Sequence, residues 1–317
     1  MESSHHRAAA DRPGIGVGLV LAAATLFAVN GTVSKLVLTS GLSSQRLVEI
    51  RCAGAAVVLC LLALARDRGS LRTPSRELGF VVVYGIVGVA MVQWLYFLAL
   101  ARIPVSLTLL IEFTAPLMVA LWVRFVLRRP VRRRLWPALA LVLVGLALVA
   151  RVWAGLTVDG FGLVAAVVAA CSLAAYYVMG ERGVAMRDPV SLAGLSFAAA
   201  AVFWAAVQPW WTFPFARLAD PVAVLGFGVP TWVLVLWVIM MGSVVPWVLV
   251  LTGLRSIGAA RAGLVGTLEP VVASGVAWVV LGEALSPVQI AGGAVVVGGI
   301  VLAETARTAR VAEVPTG

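Results

Sequence analysis

Apolar stretches of about 20 residues recur from one end of this chain to the other, and nothing else constrains its fold so tightly. A helix rising about 1.5 Å per residue needs that length to cross a hydrocarbon core of about 30 Å. Inside lipid every backbone polar group must be satisfied within the chain, so such runs become helices. Ten of them are expected, at about 15–37, 44–65, 78–100, 104–126, 135–151, 160–180, 190–209, 231–253, 259–281 and 287–303. The stretch 222–229 is apolar but too short to span, and reads as a re-entrant or interfacial piece ahead of the eighth helix. Only 12% of residues are charged, against roughly 25% in soluble domains, which excludes an ordinary soluble enzyme. The first run follows Arg7 and Arg12 but is too long for a signal-peptide core, so it is taken as a retained helix.

The ten runs fall into two copies of five. An offset of 154 residues pairs Ile103 with Ile257, Pro116 with Pro270, Leu127 with Leu281 and Gly145 with Gly299. Earlier in each half an offset of 144 pairs Gly16 and Gly18 with Gly160 and Gly162. The units expected are a tail at 1–13, a first copy at 14–151, a second at 158–303, and a tail at 304–317. Five is odd, so the second copy enters the membrane inverted. The flanking charges agree: the connection after the fourth run carries Arg128, Arg129, Arg132, Arg133 and Arg134, whereas its counterpart, Gly282-Glu283-Ala284-Leu285-Ser286, has no basic residue.

The net charge of +10 is a matter of topology rather than of nucleic acid. With ten spans both termini share a side, and 18 of the 24 basic residues fall on it. Lys35, Arg46, Arg102, Arg151 and Arg217 lie opposite, and Arg51 lies inside the second run. The positive-inside rule therefore puts both termini in the cytoplasm. The preference for arginine over lysine, with Ala, Gly and Val, points to a GC-rich bacterial genome and hence to the cytoplasmic membrane.

Two carboxylates interrupt this apolar background. Glu112 and Glu269 lie near the middle of the fourth and ninth runs, close to Pro116 and Pro270. A charge at a helix centre costs on the order of 3 kcal/mol on insertion scales, so it faces a cavity or a partner. Each lies eight residues into its run, roughly 12 Å deep. Glu112 aligns with Gly266, three residues before Glu269, so both occupy similar faces and are expected to look into a shared central cavity. Mid-helix prolines remove a backbone hydrogen bond and free a carbonyl. Pro116, Pro270 and Pro246 are thus candidate hinges or carbonyl ligands, with a plain packing kink as the alternative. Inverted repeats with a midplane site build secondary transporters.

The segments EFTAPLMVALW and LEPVVASGVAWVVLGEALSPVQIAGGAVVVGGIVL resemble the EamA family of the drug/metabolite transporter superfamily, over roughly residues 15–149 and 160–303. The combination IEFTAP with TLEP is most similar to its threonine/homoserine exporter branch. That resemblance implies a carrier exporting small polar amino-acid metabolites. The first copy departs from the pattern, with Leu127-Arg128-Arg129-Pro130 in place of glycine-glutamate.

Among the remaining polar residues, Arg51 either neutralises a substrate carboxylate, pairs with Glu112 or snorkels to the interface. Glu49 is expected to pair with Arg46. Asn30 and Gln93 are the better cavity-lining candidates beside Trp94, Tyr96, Tyr176 and Tyr177, although a buried amide is more often interhelical glue. Trp136, Trp153, Trp204, Trp210 and Trp211 read as interface anchors, Glu283 as a helix cap, and Cys52, Cys60 and Cys171 as small buried apolar residues. The only histidines, His5 and His6, are in the tail, and no Walker-type loop is present, so neither enzyme chemistry, a metal nor a cofactor is expected. Expected partners are a small-molecule substrate and the bilayer; protons and a second copy of the chain are admitted, nucleic acid is not. A lipid-intermediate flippase and a non-transporting scaffold remain the alternatives.

Overall fold

The computed structural model describes residues 13–100, 102–103, 105–150, 159–224, 226–281 and 286–305. His5, His6, Arg151, Trp153 and Glu283 lie outside them. Helices dominate: α1 Pro13–Thr39, α2 Ser44–Arg66, α3 Ser75–Val83 and α4 Val92–Leu100, then α5 Val105–Glu112, α6 Ala115–Leu121 and α7 Leu135–Ala150. The second copy contributes α8 Gly160–Met186, α9 Pro189–Val207, α10 Thr231–Ile239, α11 Val245–Ile257, α12 Ala259–Gly266, α13 Glu269–Leu281 and α14 Pro287–Thr305. Seven continuous helical segments are long and apolar enough to cross a membrane, and 135–150 and 287–303 are shorter apolar helices. The expected ninth run is helical in two pieces, α12 and α13.

Local sequence explains the starts of several helices. Ser43 caps α2 by accepting from the Arg46 N–H, Asp159 caps α8 by accepting from Gly162, and Asp188 caps α9 from in front of Pro189. The apolar piece at 222–229 lies directly ahead of the eighth segment, as expected. It is a hairpin, β1 Pro221–Val224 against β2 Phe227–Pro230, turned at Gly226 (φ 87°). Prolines at both ends and a glycine free to adopt positive φ favour that turn over a helix.

The two copies interlock. α1 of the first packs along α11 of the second, and α8 of the second packs along α4 of the first. Equivalent helices also meet directly, α2 with α9 and α7 with α14. Glycines allow the closest approaches: a β-carbon on Gly145 would lie 2.7 Å from the Gly292 carbonyl oxygen, and one on Gly299 would lie 3.0 Å from that of Ala138. Such small-residue seams are how helices associate in lipid, where no hydrophobic force drives them together.

These contacts fix the internal register. A β-carbon on Gly16 would meet Ser256 Cβ at 2.8 Å and Ile257 Cγ2 at 2.9 Å; one on Gly162 would meet Arg102 Cβ and Ile103 Cγ2 at the same two distances. Arg102-Ile103 and Ser256-Ile257 are themselves equivalents, so Gly16 corresponds to Gly162. The first helix therefore aligns at 146 residues, not at the 144 expected from its glycine spacing. A similar pair of contacts, Gly54 with Ile239 and Gly85 with Ala199, sets α2 against α9 at 145.

Candidate functional site

The fourth and ninth segments break at the same place. α5 ends at Glu112 and α6 resumes at Ala115; α12 ends at Gly266 and α13 resumes at Glu269. At the 154-residue offset these breaks coincide, each set just ahead of its proline, Pro116 or Pro270. A threonine seals each: Thr114 Oγ1 donates to the Ile111 carbonyl at 2.6 Å, and Thr267 Oγ1 to that of Leu264 at 2.5 Å. The glutamates consequently sit at helix ends within the bundle, Glu112 buried and Glu269 half-buried.

A second pair of equivalent features flanks them. The third segment winds into a π-helix at Tyr84–Met91 and the eighth at Met240–Val244. Such wide turns are frequent at functional sites. Pro246, two residues past the second π turn, cannot donate to the Gly242 carbonyl four residues back. Arg51 from α2 takes that oxygen instead, its Nη2 donating at 2.7 Å while Nε donates to Ser243 Oγ at 2.9 Å. Arg51 is thus buried and bonded to the helix break; it neither snorkels nor bonds to Glu112. Two of its three nitrogens are held, which fixes the plane of the guanidinium. Asn30 from α1 packs on the same turn, for a β-carbon on Gly242 would collide with its carboxamide, and Asn30 Oδ1 is buried without a partner among the described residues.

Charge converges here. Glu269 lies within the electrostatic reach of Arg51 and of Glu112, and the Tyr96 and Tyr177 hydroxyls lie in the field of both carboxylates. The result is a guanidinium, two carboxylates and two phenols, contributed by both copies. Gln93 does not join them by hydrogen bonding: its Nε2 donates to the Val89 carbonyl of its own segment at 3.0 Å. Tyr176 is given over to packing, stacked on Tyr84 at 5.8 Å and edge-on to Trp247 at 4.7 Å. Glu49 pairs with Arg46 at 2.6 Å, as the sequence indicated, and Arg46 reaches across to Thr212 and the Gln208 carbonyl.

The two ends of the bundle differ around this centre. Towards the arginine-rich connections α12 packs on α6 and α8, with Gly263 on Pro116 and Gly266 under the Tyr177 hydroxyl. Glu181 Oε2 accepts from the Ala259 N–H at the start of α12 at 2.8 Å, and Arg129 pairs with its Oε1 at 3.3 Å. Arg187 donates to Glu77 and to the carbonyls of Ser70 and Arg72, tying the copies together. Towards the other end, the equivalent neighbours, α1 with α5 and α5 with α13, scarcely meet among the described residues. A cavity of about 360 Å³ lies away from the glutamates, at the closed end, lined by Arg129, Arg132, Arg134, Glu181, Gly258 and Arg261 among others.

Some residues stand elsewhere than expected. Trp204 is buried in the core, edge-on to Trp94 at 6.2 Å, rather than anchored at an interface; Trp211 is exposed. Cys171 is exposed, not buried. Sequence reasoning passed over Gly242 and Ser243, although the signal existed: a proline at 246 names the carbonyl it frees.

A two-copy helical bundle with paired breaks and buried charge at its centre defines a multi-pass membrane transporter. Residues 14–151 and 160–305 both match the EamA-like transporter family, and the chain belongs to it. It is 28% identical over 230 residues to an uncharacterized transporter of Archaeoglobus fulgidus, covering 73% of this chain and 77% of that one. It is likewise 28% identical over 216 residues to the threonine/homoserine exporter RhtA of Escherichia coli K12, covering 66% of this chain and 65% of the exporter. A solved crystal structure superposes with a TM-score of 0.76, over 94% of this chain and 98% of the other, at 20% identity, which establishes the fold.

Proposed function

We propose that this protein is a secondary carrier of the bacterial cytoplasmic membrane that exports amino acids or closely related metabolites by alternating access. The reading is carried by the convergence of Arg51 with Glu112 and Glu269 at the paired helix breaks. A zwitterion presents an ammonium and a carboxylate a few ångströms apart, and a site with both signs of fixed charge complements it. In this reading the glutamates receive the ammonium or exchange a proton for it, and the remaining face of the Arg51 guanidinium meets the carboxylate. Tyr96 and Tyr177 supply hydroxyls.

The contrast between a packed end and a parted end supports the transport cycle. Two copies of one fold, oppositely inserted, give two states of similar energy when they exchange conformations. Prolines 116 and 270, at the breaks, are the natural places to flex. The arginine-rich end is taken as cytoplasmic on the positive-inside rule, and the RhtA likeness supports threonine-like cargo.

The test is efflux of radiolabelled L-threonine and L-homoserine from proteoliposomes carrying the wild type, Glu112→Gln or Glu269→Gln. Transport by the wild type and its loss in both variants is the expected result. Wild-type rates in both variants would remove the glutamates from the site. No flux above empty liposomes, with translocation of lipid-linked cargo instead, would transfer the protein to the flippase class.

A further inference from the structure

Laid over each other, α1 and α8 disagree at one position that matters. With Gly16 set on Gly162, every buried residue of α1 from Gly16 to Val37 falls on a buried residue of α8. Gly31 breaks the pattern in the opposite sense. It is exposed, with nothing within 4 Å of where a β-carbon would be, whereas its counterpart Tyr177 is buried. The Tyr177 hydroxyl fills the space over Gly266, 2.7 Å from that residue's β-carbon position. Gly266 is the counterpart of Glu112. The internal two-fold therefore carries a phenol-filled gap between α8 and α12 onto an unfilled gap between α1 and α5, and it replaces a glycine wall with a carboxylate.

Gly31 continues the face of α1 that buries Val20, Ala24 and Ala28. Asn30, next to Gly31, is buried against the π turn that holds Arg51, and Ser34, one turn on, is buried as well. The gap also lies at the end of the bundle where α1 and α5 part.

Resting on the carrier reading above, we infer that the space between Gly31 and Glu112 is a subsite for the cationic end of the cargo. Gly31 limits the size of the group admitted. The counterpart space takes one phenol, so the group that fits is a primary ammonium with a short substituent. A larger aliphatic residue at 31 would occupy the subsite itself. Replacing glycine inside a helix favours the helix, and no neighbour stands in the way, so such variants are expected to fold.

The test uses Gly31→Cys in the full chain carrying Cys60→Ala and Cys171→Ala, with Cys52 left fully buried in the core. The protein in liposomes, in alkaline buffer, is treated with a quaternary-ammonium methanethiosulfonate and separately with its sulfonate analogue. With each rate divided by that reagent's rate on a free thiol, the cationic reagent is expected to be favoured at least about tenfold, and adding Glu112→Gln should bring the normalised rates together. An unreactive cysteine in a protein that melts like the parent would overturn the subsite, as would equal normalised rates insensitive to Glu112→Gln. A second arm compares Gly31→Ala and Gly31→Leu in L-threonine and glycine efflux. The leucine should cut threonine flux at least about tenfold, and glycine flux less; unchanged threonine flux would overturn the size limit. If the labelling pattern holds but no amino acid moves through the wild type, the carrier reading fails alone. Were the wild type active and the labelling pattern absent, the subsite would fail alone.

Discussion

Two joints in this protein share one backbone design and differ in chemistry. At each, the first helix of one copy packs on a π-helical glycine in the third segment of the other: Asn30 on Gly242, Tyr176 on Gly88. Each receives a residue from the second helix of the copy that supplies the first helix, Arg51 in one case and Ser196, beside Gly85, in the other. In the first joint the contact is a guanidinium on a freed carbonyl with carboxylates nearby. In the second it is a run of rings, Phe80 on Tyr84, Tyr84 on Tyr176 and Tyr176 on Trp247. Gln93 and Trp247 are equivalents across the same divide. The backbone repeats and the side chains do not: buried charge gathers at one joint and a packed aromatic wedge at the other.

The largest expected break in this comparison is Arg51→Ala. It strands the Gly242 carbonyl, Ser243 and the charge of Glu269, and should cost about 3–5 kcal/mol in unfolding measured in detergent. Ser196→Ala, at the equivalent position, should cost about 1 kcal/mol or less, because that hydroxyl only returns to the Leu192 carbonyl of its own helix. Similar losses for the two would mean the joints are energetically alike. Next comes Gly242→Ala, expected to cost about 2 kcal/mol by displacing Asn30. The double variant with Asn30→Ala should recover about half of that, a coupling read from a double-mutant cycle. Gly88→Ala meets the Tyr84 ring at 3.1 Å and the Tyr176 backbone at 3.3 Å as its nearest neighbours, and should cost about 1 kcal/mol. At the closed end, Glu181→Ala should cost about 1 kcal/mol through the lost cap on Ala259. Arg129→Ala, whose ion pair is largely exposed, should cost about 0.5 kcal/mol or less in the same melts.

Much of this was legible before any coordinates. Helix after helix follows from apolar length and caps, the repeat from paired prolines and glycines, and the central charge from the expense of burying Glu112 and Glu269. The π turns at Tyr84–Met91 and Met240–Val244 were not, since a five-residue hydrogen-bond step leaves no mark on an apolar run, and only the latter has a proline beside it. The partner of Arg51 was missed because it is a backbone oxygen 191 residues away, a matter of tertiary packing that side-chain charge does not announce. The offset of the first helix was misjudged by two residues because closely spaced glycines match each other in more than one register. The hairpin form of 221–230 was not legible, because a short apolar run carries no period long enough to distinguish strand from helix.

The crossing of α1 onto α11 and of α8 onto α4 has a consequence for biosynthesis. When the ribosome has finished the first five segments, α1 still lacks the surface that buries Val20 and Asn30, because that surface is encoded more than 200 residues later. The first copy keeps this seam unfilled until the second copy is made, and the bundle locks only then. Gene fragments cut at the midpoint should yield halves that mature only when expressed together.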